Sequence, residues 1–279
     1  MIDIRIAQHR VLLWILSVVI TLAAAVYQRM TGPTYPLRGT ASIGSELMPY
    51  RLPRTETVGT DVEIALPVTD ADASGFVRWR RYKSFDDWAD LPMQRDGDRL
   101  IARLPQQPPA GKLMYRVFLR AGGREVSLTG DEPVVLRYKG AVPDAVLLPH
   151  VVLMLLAMIW SNRTMLEALD SQGRARRYMI CTIALLIGGG FIFGPAVQYY
   201  AFGTAWSGVP FGHDLTDNKT LVVLIAWLWA WWMNRGERDR RGWILLAGLV
   251  MFLIFIIPHS LLGSELDHTR PNGQSPAGA

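Results

Sequence analysis

Charge is segregated along this chain rather than mixed. Four apolar stretches, Val11 to Tyr27, Ala145 to Trp160, Met179 to Tyr200 and Gly242 to Gly263, are nearly free of Asp, Glu, Lys and Arg, and a shorter fifth runs from Leu221 to Met233. A helix rising about 1.5 Å per residue needs some 20 apolar residues to cross a ~30 Å hydrocarbon layer. Each long stretch approaches that length, so the sequence predicts a polytopic α-helical membrane protein of five spans. The Leu221 stretch is too short alone. To cross, it must borrow upstream residues, which puts Asp214, Asp217, Asn218 and Lys219 in its first turns. Polar groups at that depth usually face a cavity or a partner rather than lipid.

Arginine placement gives an orientation. Arg5 and Arg10 precede the first stretch, Arg163, Arg174, Arg176 and Arg177 follow the second, and Arg235, Arg238, Arg240 and Arg241 follow the Leu221 stretch. The positive-inside rule then predicts a cytoplasmic N-terminus, with the segment after the first span and the C-terminus on the outer side. Short loops and uncleaved insertion fit a bacterial inner (plasma) membrane and a periplasmic outer side. Arginines at helix ends also account for the net charge of +5, so nucleic acid is not expected as a partner and lipid is. Residues 1–29 are expected to be an uncleaved anchor, although Ala23, Ala24 and Ala25 leave a cleavable signal peptide as the alternative. The lone Cys181 excludes an internal disulfide.

Residues 30–57, with Gly32, Pro33, Pro36, Gly39 and Pro49, are expected to form an extended linker. The pattern then changes to period two: Val62 to Leu66, Phe76 to Tyr82, Leu100 to Leu104, Leu113 to Leu119, Val126 to Leu128 and Val134 to Tyr138 alternate apolar and polar residues. Six or seven short strands within residues 58–140 predict a small β-sandwich. Trp79 falls on an early central strand, and Leu104-Pro105 is followed by Pro108-Pro109-Ala110-Gly111 and Tyr115. In this the segment resembles an immunoglobulin or fibronectin type III domain without the paired cysteines. The resemblance implies a tyrosine corner before the penultimate strand and a module that binds or spaces other proteins, and it names no ligand.

Three sets of residues are candidates for function. Arg78, Trp79, Arg81, Tyr82 and Trp88 combine aromatic anchors with cations, the residue types that dominate protein interfaces. Their alternative is a solvated strand face with the aromatics in the core. His150, His213 and His259, with Asp217, gather at the outer edge of residues 141–264 and suit a haem or a divalent metal. Asp214, Asp217, Asn218 and Lys219 form a polar cluster in the outer loop, residues 201–219, where Asp214 or Thr216 would serve equally as a helix cap. Gly190 and Gly194 have the spacing of close helix packing, and Trp227, Trp229, Trp231 and Trp232 that of an interfacial belt. Residues 265–279 are expected to be disordered. No GxSxG, HExxH, CxxC, Walker or Rossmann pattern occurs in a fitting context. The expected function is therefore a scaffold or accessory subunit that binds another membrane or periplasmic protein through its sandwich, with a haem- or metal-dependent redox or transport protein as the alternative.

Overall fold

A computed structural model describes residues 9–43, 46–170, 174–236, 238–258 and 265–269. The chain divides into a helical unit, residues 1–32 with 142–263, and a β-unit, residues 33–141 with 264–279.

The helical unit corrects the five-span expectation. Among the described residues three helices are long and apolar enough to cross a membrane: α1 (Arg10–Thr31), α2 (Asp144–Glu167) and the continuous run Ala175–Phe202. That run comprises α3 (Ala175–Leu186), a π-helical stretch (Ile187–Phe193) and α4 (Gly194–Phe202). The remaining two helices fall short for separate reasons. Helix α5 (Leu215–Met233) spends its first turns on Asp217 and Lys219. Helix α6 (Arg241–Ile256) has 16 residues, and its apolar sequence does not continue as helix because Ile257 turns to an extended conformation before Pro258. At about 24 Å it is shorter than a hydrocarbon core. With eleven strands in three sheets among the described residues as well, the chain is a mixed α/β protein.

Small residues set the helix packing. A Cβ on Gly190 would lie 2.7 Å from Thr220 Cγ2, so α5 reaches the π-helical stretch only where no side chain intervenes. Trp227, expected in an interfacial belt, is fully buried and donates to Met251 Sδ at 3.2 Å, whereas Trp229, Trp231 and Trp232 are exposed. The core of this unit is built from Met179, Leu186, Val223, Trp227, Ala247 and Met251, among others.

In the β-unit, β1 (Leu37–Ile43) and β2 (Glu46–Leu52) pair antiparallel. A six-stranded sheet runs β3 (Thr55–Thr57), β11 (Val134–Lys139), β9 (Lys112–Ala121), β5 (Ser74–Arg81), β6 (Ala89–Pro92), with β10 (Arg124–Ser127) also on β9. A three-stranded sheet runs β4 (Val62–Pro67), β8 (Arg99–Leu104), β7 (Gln94–Asp96). Leu52, Ile64, Leu66, Val77, Leu104, Leu113, Tyr115, Val117 and Leu136, drawn from all three sheets, share one core.

Three further expectations are corrected here. Residues 30–57 are not a linker, because β1 and β2 contribute Ala41, Met48 and Leu52 to that core. Gly39 makes this possible: the Tyr50 ring of the paired strand lies over it, its Oη only 2.3 Å from where a Cβ would sit, and the Tyr50 hydroxyl goes on to donate to Leu128 O at 2.8 Å. Residues 265–269, expected to be disordered, are laid against the β-unit by backbone hydrogen bonds from Leu266 N–H to Ala110 O and from His268 N–H to Lys83 O. The tyrosine corner implied for Tyr115 takes another form. Its hydroxyl donates to Pro53 O at 2.8 Å, and Tyr138 is the residue that reaches Pro105 O, at 3.2 Å.

Candidate functional site

Strand β9 is the longest in the β-unit, and its alternation separates two faces. Leu113, Tyr115, Val117 and Leu119 are buried, while Lys112, Met114, Arg116, Phe118 and Arg120 line the opposite, outer face. Register with β5 sets Phe118 opposite Phe76, Arg116 opposite Arg78 and Met114 opposite Arg80. The cross-strand phenylalanines stack with centroids 4.8 Å apart and planes 9° from parallel.

Arginines and rings interleave on this face. Arg78 lies 5.5 Å from both the Phe76 and the Phe118 rings, and Arg120 lies 4.9 Å from Phe76. Trp88, from the segment between β5 and β6, receives Arg80 at 4.8 Å and Arg116 at 5.8 Å. Each such contact fixes a long side chain over a flat ring. Two of the four arginines are matched by acids. Arg78 makes a two-pronged pair with Asp90, at 2.6 and 2.8 Å, which holds the Asp90 carboxyl below its usual range, and Arg120 donates to Glu125 at 2.8 Å. Arg80 donates to Met114 Sδ and Arg116 to the Asp131 carbonyl, and among the described residues neither has a carboxylate in salt-bridge range. The outer face thus carries unneutralised cations beside aromatic surface.

The five residues singled out in the sequence are divided by the strand. Arg78 and Trp88 belong to the outer face. Trp79 points the other way and packs against the core, opposite Tyr115 in register. Arg81 is engaged by Asp86 at 2.6 and 2.8 Å, and that hydrogen bond holds the Asp86 carboxyl down at about 2. Tyr82 lies under the Lys112 ammonium group, 5.3 Å away. Arg80, which clusters with those five in the sequence, also lies on the outer face, while Phe76, Arg116, Phe118 and Arg120 were missed, although the outward half of the β9 alternation carries three of these four.

Of the histidine set, the described members His150, His213 and Asp217 do not form a metal-holding group. Among the described residues no three His, Cys, Asp or Glu side chains could hold a metal ion. His150 Nδ1 is 2.9 Å from Gly189 O, beside Gly194, and His213 is exposed. His259 lies outside the described residues. Asp217 accepts from Ser207 N–H at 2.6 Å, from the Gln198 amide at 3.1 Å and from the Ser207 hydroxyl at 3.3 Å.

The outer-loop polar cluster has the same structural character. Asp214 caps α5 by accepting from Thr216 N–H at 2.8 Å, Asn218 accepts from Val209 N–H at 2.7 Å, and Lys219 donates to the carbonyls of Ile257 and Pro258 at 2.9 and 3.1 Å. Together they clamp the outer loop and the end of α6 to the first turn of α5.

A second buried cluster escaped the sequence entirely. Arg163, counted among the flanking arginines, is fully buried and pairs with Glu167 at 2.5 Å one turn along α2. Its guanidinium sits 4.7 Å from the Tyr178 ring and 5.6 Å from that of Trp14. Glu167 also accepts from Arg174 N–H at 2.8 Å, and Asn162 donates to Thr21 of α1 at 3.0 Å. These contacts tie α1, α2 and α3 together.

No protein-family model matches the chain, and no curated protein matches it either.

Proposed function

We propose that the chain is a membrane-anchored docking subunit that binds an acidic segment of a partner protein through the outer face of its six-stranded sheet. The observation that carries this is the pair Arg80 and Arg116, held over Trp88 without a carboxylate to neutralise them. Charge complementarity steers an acidic partner to such a face, and the neighbouring aromatic rings supply the apolar contact that charge alone does not. The three long apolar helices support the anchor. For the compartment, we infer a bacterial inner membrane with the N-terminus cytoplasmic, and the β-unit together with residues 265–269 on the periplasmic side. Arg5 and Arg10 before α1, and Arg174, Arg176 and Arg177 between α2 and α3, support that orientation, and hydrogen bonds between residues 265–269 and the rest of the β-unit support a shared compartment for the two. We read the β-unit as immunoglobulin-like. The antiparallel order β11, β9, β5, β6 in one sheet and β4, β8, β7 in the other supports this.

A photo-crosslinking amino acid at position 114, opposite Arg80 on the outer face, in the full chain expressed in cells, tests the docking. Its control is the same group at position 63 on β4, in the three-stranded sheet. The expected result is one dominant adduct at position 114, with an acidic crosslinked peptide by mass spectrometry, that is lost on Arg116→Glu. An adduct to lipid or glycan, a crosslinked peptide without acidic residues, or an adduct indifferent to Arg116→Glu would refute it.

A further inference from the structure

The row of outer-face side chains on β9 begins at Lys112, and there the chain supplies a partner of its own. Glu265 places one carboxylate oxygen on Lys83 Nζ and the other on Lys112 Nζ. The segment continues by alternate residues, Leu266 N–H donating to Ala110 O at 3.2 Å and His268 N–H to Lys83 O at 2.9 Å. This is how an extended peptide is held along a sheet margin, by main-chain bonds at every second residue with a side-chain anchor between. Asp267 then closes a turn by accepting from Thr269 N–H at 3.0 Å.

The receiving surface is shaped for this occupant. Lys83 and Ala110, whose carbonyls take the two strap N–H groups, are the only non-glycine residues with positive φ among the described residues, at 48° and 65°. Backbone held in that region persists where the surroundings over-determine it, and it clusters at sites that clamp a ligand. The charges point the same way. Lys112 is largely buried, under influence from both Lys83 and Arg137, and burial lowers its affinity for a proton against the support of Glu265. Burial pushes Glu265 up, but the two ammonium groups outweigh it and hold the carboxyl below its usual range. Take the carboxylate away and a half-enclosed cluster of cations remains.

We infer that Lys83, Lys112, Tyr82 and the carbonyls of Lys83 and Ala110 form a docking site for an acidic extended peptide, occupied here in cis by Glu265–Thr269, and that an acidic segment of the partner enters by displacing this strap. The inference rests on the docking function proposed above and names the chemistry of the segment: a glutamate first, an apolar residue next, an aspartate third. A tethered occupant acts at about millimolar effective concentration. Against it, a free peptide of ~100 μM affinity binds about tenfold more weakly than it does to the open site.

The test uses the full chain in detergent, a variant ending at Gly263, and a full-length Glu265→Lys variant that opens the site should the shortened chain fail to fold. The probe is a fluorescein-labelled Ser-Glu-Leu-Asp-His-Thr peptide followed by anisotropy. The expected result is saturable binding to either opened variant and about tenfold weaker binding to the intact chain. Lys112→Ala in the opened chain, or glutamine for glutamate in the probe, should each weaken binding by about tenfold. Absence of saturable binding to both opened variants, equal binding to intact and opened chains, or indifference to Lys112→Ala would overturn the strap site. If the peptide binds as expected but position 114 gives no acidic adduct, the docking function fails and the strap site stands as a cis contact. If the adduct forms and the peptide does not bind, the strap site fails alone.

Discussion

Replacing Glu167 by glutamine leaves the shape of the helical core almost unchanged and removes one charge. Glutamine can keep the acceptor that Arg174 N–H uses, so the change falls on Arg163, which becomes a buried cation facing a neutral amide. Both side chains are essentially inaccessible to water, 0% and 2% exposed, so no discount for solvent screening applies. Breaking a buried pair from one side costs about 3–5 kcal/mol. The Tyr178 and Trp14 rings retain their hold on the guanidinium, at up to ~2 kcal/mol each when desolvated, which argues for the lower end of that range. We expect Glu167→Gln to lower unfolding free energy in mixed micelles by about 3 kcal/mol. The double variant Arg163→Met with Glu167→Leu, which removes both charges and keeps volume, should recover most or all of the loss. Unfolding by denaturing detergent, followed by the fluorescence of the tryptophans including Trp14, measures all three proteins. A single-variant loss under about 1 kcal/mol would show that the pair is hydrated, and the argument from enclosure would be wrong.

Three further outcomes follow from contacts elsewhere. Gly190→Ala drives a Cβ to 2.7 Å from Thr220 Cγ2, so it should lower the melting temperature of the detergent-solubilised chain, and adding Thr220→Ser, which deletes that methyl and keeps the hydroxyl bonded to Thr216 O, should restore part of the loss. Asp86 is held at about 2 in the fold by Arg81, below its ordinary 3.8, so its stabilising contribution is present above pH ~4 and disappears as pH falls toward 2. Asp86→Asn should flatten that acid limb, and an unchanged acid titration would exclude the pair as its source. Lys219→Met removes the donor to the Ile257 and Pro258 carbonyls, so hydrogen exchange should rise through the last turn of α6 while the middle of α5 stays protected.

What could be seen in the sequence followed from periodicity. Alternation in Val62 to Leu66 and Leu113 to Leu119 shows through because one side of each strand is buried, and that burial is written residue by residue. The span count failed because composition records how many apolar residues a segment has and not where its helix ends. Pro258 and the Asp217–Lys219 turn decided that. Arg163 was illegible for a related reason: an arginine near a helix end reads alike whether it reaches water or meets Glu167, Trp14 and Tyr178 inside the bundle. The strands β1 and β2 and the strap at 265–269 were missed because their partners, Leu128 O for Tyr50 and Lys112 for Glu265, are remote in sequence. Of the outer face, the β5 side was visible in Arg78 and Trp88, while the β9 half needed the register that sets Phe118 on Phe76.

The distance along the chain between Lys112 and its carboxylate, 153 residues, also sets an order of events during synthesis. At ribosomal rates of about 5–20 residues per second, Glu265 emerges some 8–30 s after the strands it will cover. For most of that interval, once β11 has followed, the nascent β-unit has all its strands but not its own acid, and it is open to whatever anionic peptide lies nearby.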